Sequence, residues 1–214
     1  MAADAENTKN GWAGFDFDRA VAEARAEFPK ETADTTFING SDPDAIQQLY
    51  NWARKEGLRT IEWDHMIRNP ARERPISMSG HNGGTVLMMF PHNPTPTFPG
   101  HPDKCNQLTF DHELGHIVSG KGMGNDLAAD YTEHVADSFC VLRGLRRGSL
   151  QKADIPFIAA QRDAGFLIYG GLNHLTSMSL DAIAINPKNI DYKALSPKGM
   201  IRLAEKHAAV FENK

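Results

Sequence analysis

The sequence predicts a single domain of the α+β class that is mostly helical and carries a small β-sheet. The chain has 214 residues, of which 41% are hydrophobic, so one compact domain with a complete core is expected. Several segments have the apolar spacing of helices that pack against a core, whereas residues 85–90 form a short strand-like run. No internal repeat or domain linker is evident. Residues 16–214 are therefore expected to form one domain, with residues 1–15 as a flexible N-terminal tail.

Capping and turn residues place the elements of the first ninety residues. Proline is favoured at the first position of a helix, and glycine is common just after a helix ends. Asp42 and Pro43 therefore predict the start of a helix, and Gly57 predicts its end near Glu56. With the apolar spacing, these signals predict a helix at 16–28, a helix at 43–56, a strand at 59–63, a turn at 80–84 and a strand at 85–90.

The second half of the chain is predicted to be helical. A proline-rich loop at 91–104 follows the strand, and the apolar residues of 108–118 then recur with the spacing of one helix face. Further helices are predicted at 125–144, 155–168 and 196–211.

The most informative motif is H-E-x-x-H, formed by His112, Glu113 and His116. Residues four apart lie on one face of a helix, so both imidazoles can bind the same metal ion. Zinc suits this pair, because it accepts neutral imidazole nitrogen and imposes no fixed geometry. Glu113 would lie beside a metal-bound water and could accept its proton. The apolar residues lie on the opposite side of this helix, so the imidazoles are expected to face a cleft. The alternative is a helix with two ordinary surface or core-edge histidines.

A catalytic zinc site usually has three protein ligands, so one more is expected after the two histidines. The spacing H-E-x-x-H-x-x-G-x-x-H, which would supply it as a third histidine, is absent. Ser119 stands in place of the glycine, and Gly122 stands in place of the histidine. The missing ligand is therefore expected from the next helix.

The helix at 125–144 offers four candidates for the third ligand, namely Asp130, Glu133, His134 and Asp137. Glu133 and Asp137 are four residues apart and share a face, whereas His134 points about 100° away from Glu133. If this helix runs antiparallel to the motif helix, Glu133 lies near His116 and Asp137 lies near His112. This geometry is compatible with Glu133 as the third ligand, and all four residues remain candidates at this point. Glu133 and Asp137 could also be no more than a solvated acidic face.

Residues 108–143 resemble the zincin metallopeptidases of the gluzincin type. Among them, the chain looks most like the small intracellular ImmA/IrrE-type group, for which H-E-L-G-H and a following E-x-x-A-D/N-x-F-A helix are typical. The corresponding segments here are HELGH at 112–116 and EHVADSFC at 133–140, with Cys140 in place of the final alanine. The resemblance implies a zincin-like domain with a small sheet packed on the active-site helix.

The resemblance also assigns roles to individual residues. It implies that His112, His116 and Glu133 bind one zinc ion per chain and that Glu113 is the general base. Asp137 would accept a hydrogen bond from His112 and so fix the tautomer of that imidazole.

These roles predict a zinc-dependent peptidase that acts on a peptide or protein substrate. In relatives, a tyrosine or histidine helps the zinc to stabilise the oxyanion, and the candidates by residue type are Tyr131, Tyr169 and His174, although each could simply be a packing residue. A strand near the active-site helix of zincins binds extended peptide by edge pairing, and residues 85–90 are the candidate here. The alternatives are a catalytically weak metal-binding regulatory or interaction protein on the same scaffold, and a structural domain without enzymatic activity.

Composition argues against several other functions. The net charge of −4 and the pI near 6.1 indicate no basic surface for nucleic acid. No apolar run approaches the length of about 18 residues that a transmembrane helix needs. The polar, acidic opening MAADAEN is unlike a secretory signal, so a cytoplasmic location is the default expectation. Cys105 and Cys140 are too few for a disulfide scaffold and are expected to be buried, reduced thiols. The oligomeric state is left open.

Overall fold

The structure is a computed structural model that describes residues 14–59, 75–90, 102–120, 126–169, 176–186 and 190–212. Within these ranges the chain is mostly helical and has one small sheet, so the predicted α+β class is confirmed. In chain order the elements are α1 (Phe17–Glu27), β1 (Thr35–Asn39), α2 (Ala45–Lys55), β2 (Ile76–Ser79), β3 (Thr85–Met89), α3 (Pro102–Val118), α4 (Asp126–Arg147), α5 (Ile155–Tyr169), α6 (Ser177–Ala184) and α7 (Pro197–Glu212). None of the helices in these ranges is both long and apolar enough to cross a lipid bilayer.

The three strands form a mixed sheet in the order β1-β3-β2. β3 is parallel to β1 and antiparallel to β2, and its Leu87 lies opposite Phe37 on one side and Ser77 on the other. The continuous apolar sequence of β3 suits this central position, because both faces of the strand are buried. β1 and β2 are not predicted from the sequence, since each is short and partly polar. The strand predicted at 59–63 falls almost entirely outside the described residues.

Helices cover both faces of the sheet. Successive side chains of a strand point to opposite faces. Val86 and Met88 therefore pack with Leu49 of α2 on one face, and Leu87 and Met89 join the main core on the other. α3 lies on this second face and contacts both β2 and β3. The motif helix is thus packed directly on the sheet.

α3 and α4 pack antiparallel at the centre of the helical layer. Gly115 makes their close approach possible, because a Cβ atom at this position would lie 2.9 Å from the Cα atom of Ala136. This contact brings Glu133 and Asp137, which lie on either side of Ala136 along α4, against the histidines of α3. α7 packs along α4, and the paired helices α5 and α6 cover the same region.

A buried ion-pair network holds the side chain of Asp111, the residue just before the motif, in place. Arg143 of α4 is fully buried and pairs with Asp111 of α3 and Glu27 of α1. Arg147 lies 2.9 Å from the second oxygen of Asp111. Burying these charges is tolerable only because they are paired. The network joins three helices directly behind His112.

Several element boundaries differ from the sequence-based predictions. α3 begins at Pro102, six residues before its predicted start, with proline at the first helical position. α2 begins at Ala45 because residues 41–44 form a turn, although Gly57 ends this helix with a positive φ as expected. α6 is not predicted from the sequence. Phe15, which was expected in the tail, is buried against Phe110, and residues 1–13 lie outside the described ranges.

Candidate metal site

Three side chains from two helices meet at one point in the core. His112 and His116 come from α3, and Glu133 comes from α4. The Nε2 atom of His112 lies 3.2 Å from Nε2 of His116 and 3.3 Å from Oε2 of Glu133. The Nε2 atom of His116 lies 3.5 Å from Oε1 of Glu133. Within the described ranges, these three residues form a group whose ligand atoms could hold one metal ion.

The ligand atoms of these three residues are close enough to contact one metal ion. One such atom from each residue lies within 4.8 Å of the other two. The two imidazole nitrogens lie 3.2 Å apart, and each lies 3.3–3.5 Å from a different oxygen of Glu133. Two imidazoles and one carboxylate are also a common ligand set for catalytic zinc, and they leave a fourth position for water or substrate. All three residues are buried.

Asp137 fixes the orientation of His112. Its Oδ1 atom lies 2.7 Å from Nδ1 of the imidazole, so Nδ1–H donates to the carboxylate and Nε2 remains for a metal ion. Burial opposes ionisation of Asp137, but Arg162 and His112 hold its pKa well below the usual range. Thr176 donates a further hydrogen bond to the other carboxylate oxygen. Asp137 is therefore a fixed anion behind the first histidine.

The metal-free site is held together by opposite charges. Burial lowers the pKa of His112, but the Asp137 and Glu133 carboxylates raise it to about 10. Burial also opposes ionisation of Glu133, but His112 and His116 hold its pKa well below the usual range. The raised pKa favours the imidazolium form of His112 between the two carboxylates of the metal-free site. A metal ion has to compete with this proton for Nε2.

Arg162 of α5 is a residue of the site that the sequence does not reveal. Its Nη2 atom donates to Oδ1 of Asp137 and lies 2.8 Å from Nδ1 of His112, because both nitrogen atoms converge on the same oxygen. An arginine on a helix usually belongs to a solvated face, so no local signal marks Arg162 as a partner of the motif.

Replacing Arg162 with methionine is expected to destabilise the metal-free protein by roughly 2–4 kcal/mol, because it removes one counter-charge of a buried carboxylate. Urea unfolding at neutral pH measures this change. Arg146→Met is a matched control, because the side chain of Arg146 is 25% exposed and that of Arg162 is 27% exposed. The partner of Arg146, Glu27, remains paired with Arg143 after the substitution. We expect the control to lose less than about 1 kcal/mol. Equal losses in the two variants would contradict a special role for the Arg162–Asp137 pair.

Glu113 lies next to the ligand group in the motif and is also buried. Its Oε2 atom accepts a hydrogen bond of 2.5 Å from Oγ of Ser77 on β2. Its Oε1 atom has no hydrogen-bond partner among the described residues. This atom is also not one of the fully buried polar atoms that lack a partner. One carboxylate oxygen is therefore held, and the other is accessible.

Of the remaining candidates, the structure describes the side chains of His134 and Tyr131. His134 is directed towards α6, with Nδ1 at 2.9 Å from Oγ of Ser179. Tyr131 is half-buried and packs against the main core. The side chains of Asp130 and Tyr169, and the whole of His174, lie outside the described residues.

The histidines of the motif helix are buried, and α4 lies on their side of the helix. One expectation about substrate access is wrong. β3 cannot bind an extended peptide by edge pairing, because β1 and β2 already pair with both of its edges. Among the described strands, β2 is an edge strand that contacts the motif helix.

Cys105 and Cys140 are both buried, and neither forms a disulfide, as expected. Burial and the nearby Asp137 carboxylate raise the pKa of the Cys140 thiol. A metal binds the thiolate form of cysteine. Cys140 is therefore a neutral packing residue rather than a ligand.

No family model matches this chain, and no curated protein or solved structure is significantly similar to it. The functional interpretation consequently depends on the geometry of the site and on the resemblance of its motif.

Proposed function

We propose that this protein is a zinc-dependent peptidase with a zincin-like fold. The observation that carries the proposal is the convergence of His112, His116 and Glu133, whose ligand atoms lie within 4.8 Å of one another in the core. A zinc ion at these atoms would act as a Lewis acid and would lower the pKa of a bound water to about 7. One zinc ion per chain is expected.

The side chains around the ligands have separate roles in this proposal. Oε1 of Glu113 accepts the proton of the attacking water, and the same carboxyl group then passes that proton to the leaving amine. Asp137 keeps the proton of His112 on Nδ1. The burial of these groups supports the proposal, because electrostatic interactions are stronger where bulk water is excluded.

The sheet offers a place for an extended substrate. Among the described residues, β2 pairs with β3 alone, so its other edge is free to hydrogen-bond with a peptide backbone. β2 also carries Ser77, which contacts Glu113, so a peptide on this edge would run close to the general base. The zinc ion and one further donor would stabilise the oxyanion, for which Tyr131, Tyr169 and His174 are candidates by residue type.

The test is peptide hydrolysis by the purified protein carrying one equivalent of zinc. We expect cleavage of a mixed peptide library, detected by mass spectrometry, together with loss of cleavage after chelation and its return when zinc is added back. Stoichiometric zinc without any cleavage would favour the metal-binding regulatory or interaction protein instead. Failure to bind zinc would favour a structural domain.

A further inference from the structure

We propose that Ser77 is a positioning residue for the general base of this site. Its hydroxyl group holds one oxygen of Glu113, so that the other oxygen faces the attacking water. This inference rests on the proposed peptidase function and adds a residue that lies outside the zinc-binding motif.

The contact is a short hydrogen bond between two buried side chains. Oγ of Ser77 lies 2.5 Å from Oε2 of Glu113, and both residues are buried. Hydrogen bonds from a hydroxyl to a charged oxygen are about 2.5–2.7 Å long and are roughly twice as strong as neutral ones. Because Oε1 has no partner among the described residues, the hydroxyl distinguishes the two oxygen atoms of the carboxylate.

Ser77 itself lies on a strand that is paired with the central strand of the sheet and ends in a closely packed turn. It lies opposite Leu87 of the central strand, three residues before the turn that joins β2 and β3. The buried Glu56 carboxylate accepts a hydrogen bond of 2.8 Å from the backbone nitrogen of Gly84 in this turn. A Cβ atom at Gly80 or Gly84 would lie within 2.2–2.3 Å of Glu56 atoms, so the turn is closely packed on the end of α2.

This arrangement fixes the position of the base in advance. A glutamate side chain has several rotamers. The hydrogen bond from Ser77 favours the rotamer in which the other carboxylate oxygen faces the attacking water. A hydrogen bond to a charged group is worth about a tenfold to hundredfold change in rate when it is needed in the transition state. β2 would then have two roles, since the edge strand proposed for substrate also orients the base.

The first experiment compares steady-state kinetics of zinc-loaded variants. In Ser77→Ala, we expect kcat to fall roughly 10- to 100-fold, with KM and zinc content unchanged. Ser77→Thr keeps a hydroxyl group and should recover most of the rate. Thr32→Val is the matched control, because it removes another buried hydroxyl, which donates a 2.7 Å hydrogen bond to the carbonyl oxygen of Phe28. Its kcat should equal that of the wild type.

The second experiment does not depend on activity. Urea midpoints of the metal-free protein are measured for Ser77→Ala, Glu113→Ala and the double variant. Ser77→Ala should lower the midpoint of the wild type but should have no further effect when Glu113 is already alanine.

The outcomes separate this inference from the proposed function. If the wild type is active and Ser77→Ala does not change kcat, the role of Ser77 is overturned and the peptidase proposal stands. The same holds if the shifts in the urea midpoint are additive. A zinc-loaded wild type without activity would overturn the peptidase proposal, and the role of Ser77 would fall with it.

Discussion

Glu113→Gln is expected to retain one zinc ion per chain and to lose peptide hydrolysis by a factor of about 10²–10⁴. Glutamine has nearly the same shape as glutamate, and its amide oxygen can still accept the hydrogen bond from Ser77, but it cannot accept a proton from water. Because Glu113 is not one of the three converging ligands, the metal should remain bound. The measurements are kcat/KM on a cleaved peptide and the zinc content by elemental analysis.

Glu205→Gln on α7 is a suitable control for this experiment, since it makes the same change in charge at a partly exposed residue that is not one of the converging ligands. It should keep both zinc and activity. A fully active Glu113→Gln protein would remove Glu113 from the mechanism. Loss of zinc from this variant would instead identify Glu113 as a ligand and would require a different site.

Removal of any one of the three converging ligands is expected to abolish stoichiometric zinc binding. His112→Ala, His116→Ala and Glu133→Ala each leave two ligand atoms, too few for a site of this type. Asp137→Ala removes only the hydrogen bond that orients His112, so we expect zinc affinity or activity to fall about 10- to 100-fold. Competition with a chelator of known affinity ranks these variants.

His134→Ala is the internal control for the ligand assignment. It lies beside Glu133 in the chain but contacts Ser179 on α6, so its loss should change zinc affinity little. If His134→Ala lowers zinc affinity more than the other variants do, the site has three histidines and the gluzincin interpretation is wrong. Full zinc retention in His112→Ala or His116→Ala would reject the site altogether.

Features of the site that lie within a single helix can be predicted from the sequence. His112 and His116 share a face because the helix has 3.6 residues per turn, and the same period places Glu133 above Asp137. Gly115 is also visible in the motif, although only the structure shows that it lets α3 and α4 approach closely. The main helices are predictable for the same reason, since apolar spacing is a local property.

Other features depend on contacts between residues far apart in the chain. Ser77 is 36 residues from Glu113, and Arg162 is 25 residues from Asp137, and no local pattern connects either pair. The short, partly polar strands β1 and β2 become recognisable only through their pairing with β3. This pairing places β3 at the centre of the sheet, where it has no free edge for a substrate.

The sequence by itself therefore determined most of the helices, the H-E-x-x-H motif and the carboxylates that could complete a metal site, because each depends on the period of one helix. Only the tertiary structure decided how deeply the motif is buried, which strand has a free edge, and which side chains hold Asp137 and Glu113. Those properties arise when elements that are far apart in the chain pack together. Residues that meet in this way share no local pattern in the sequence.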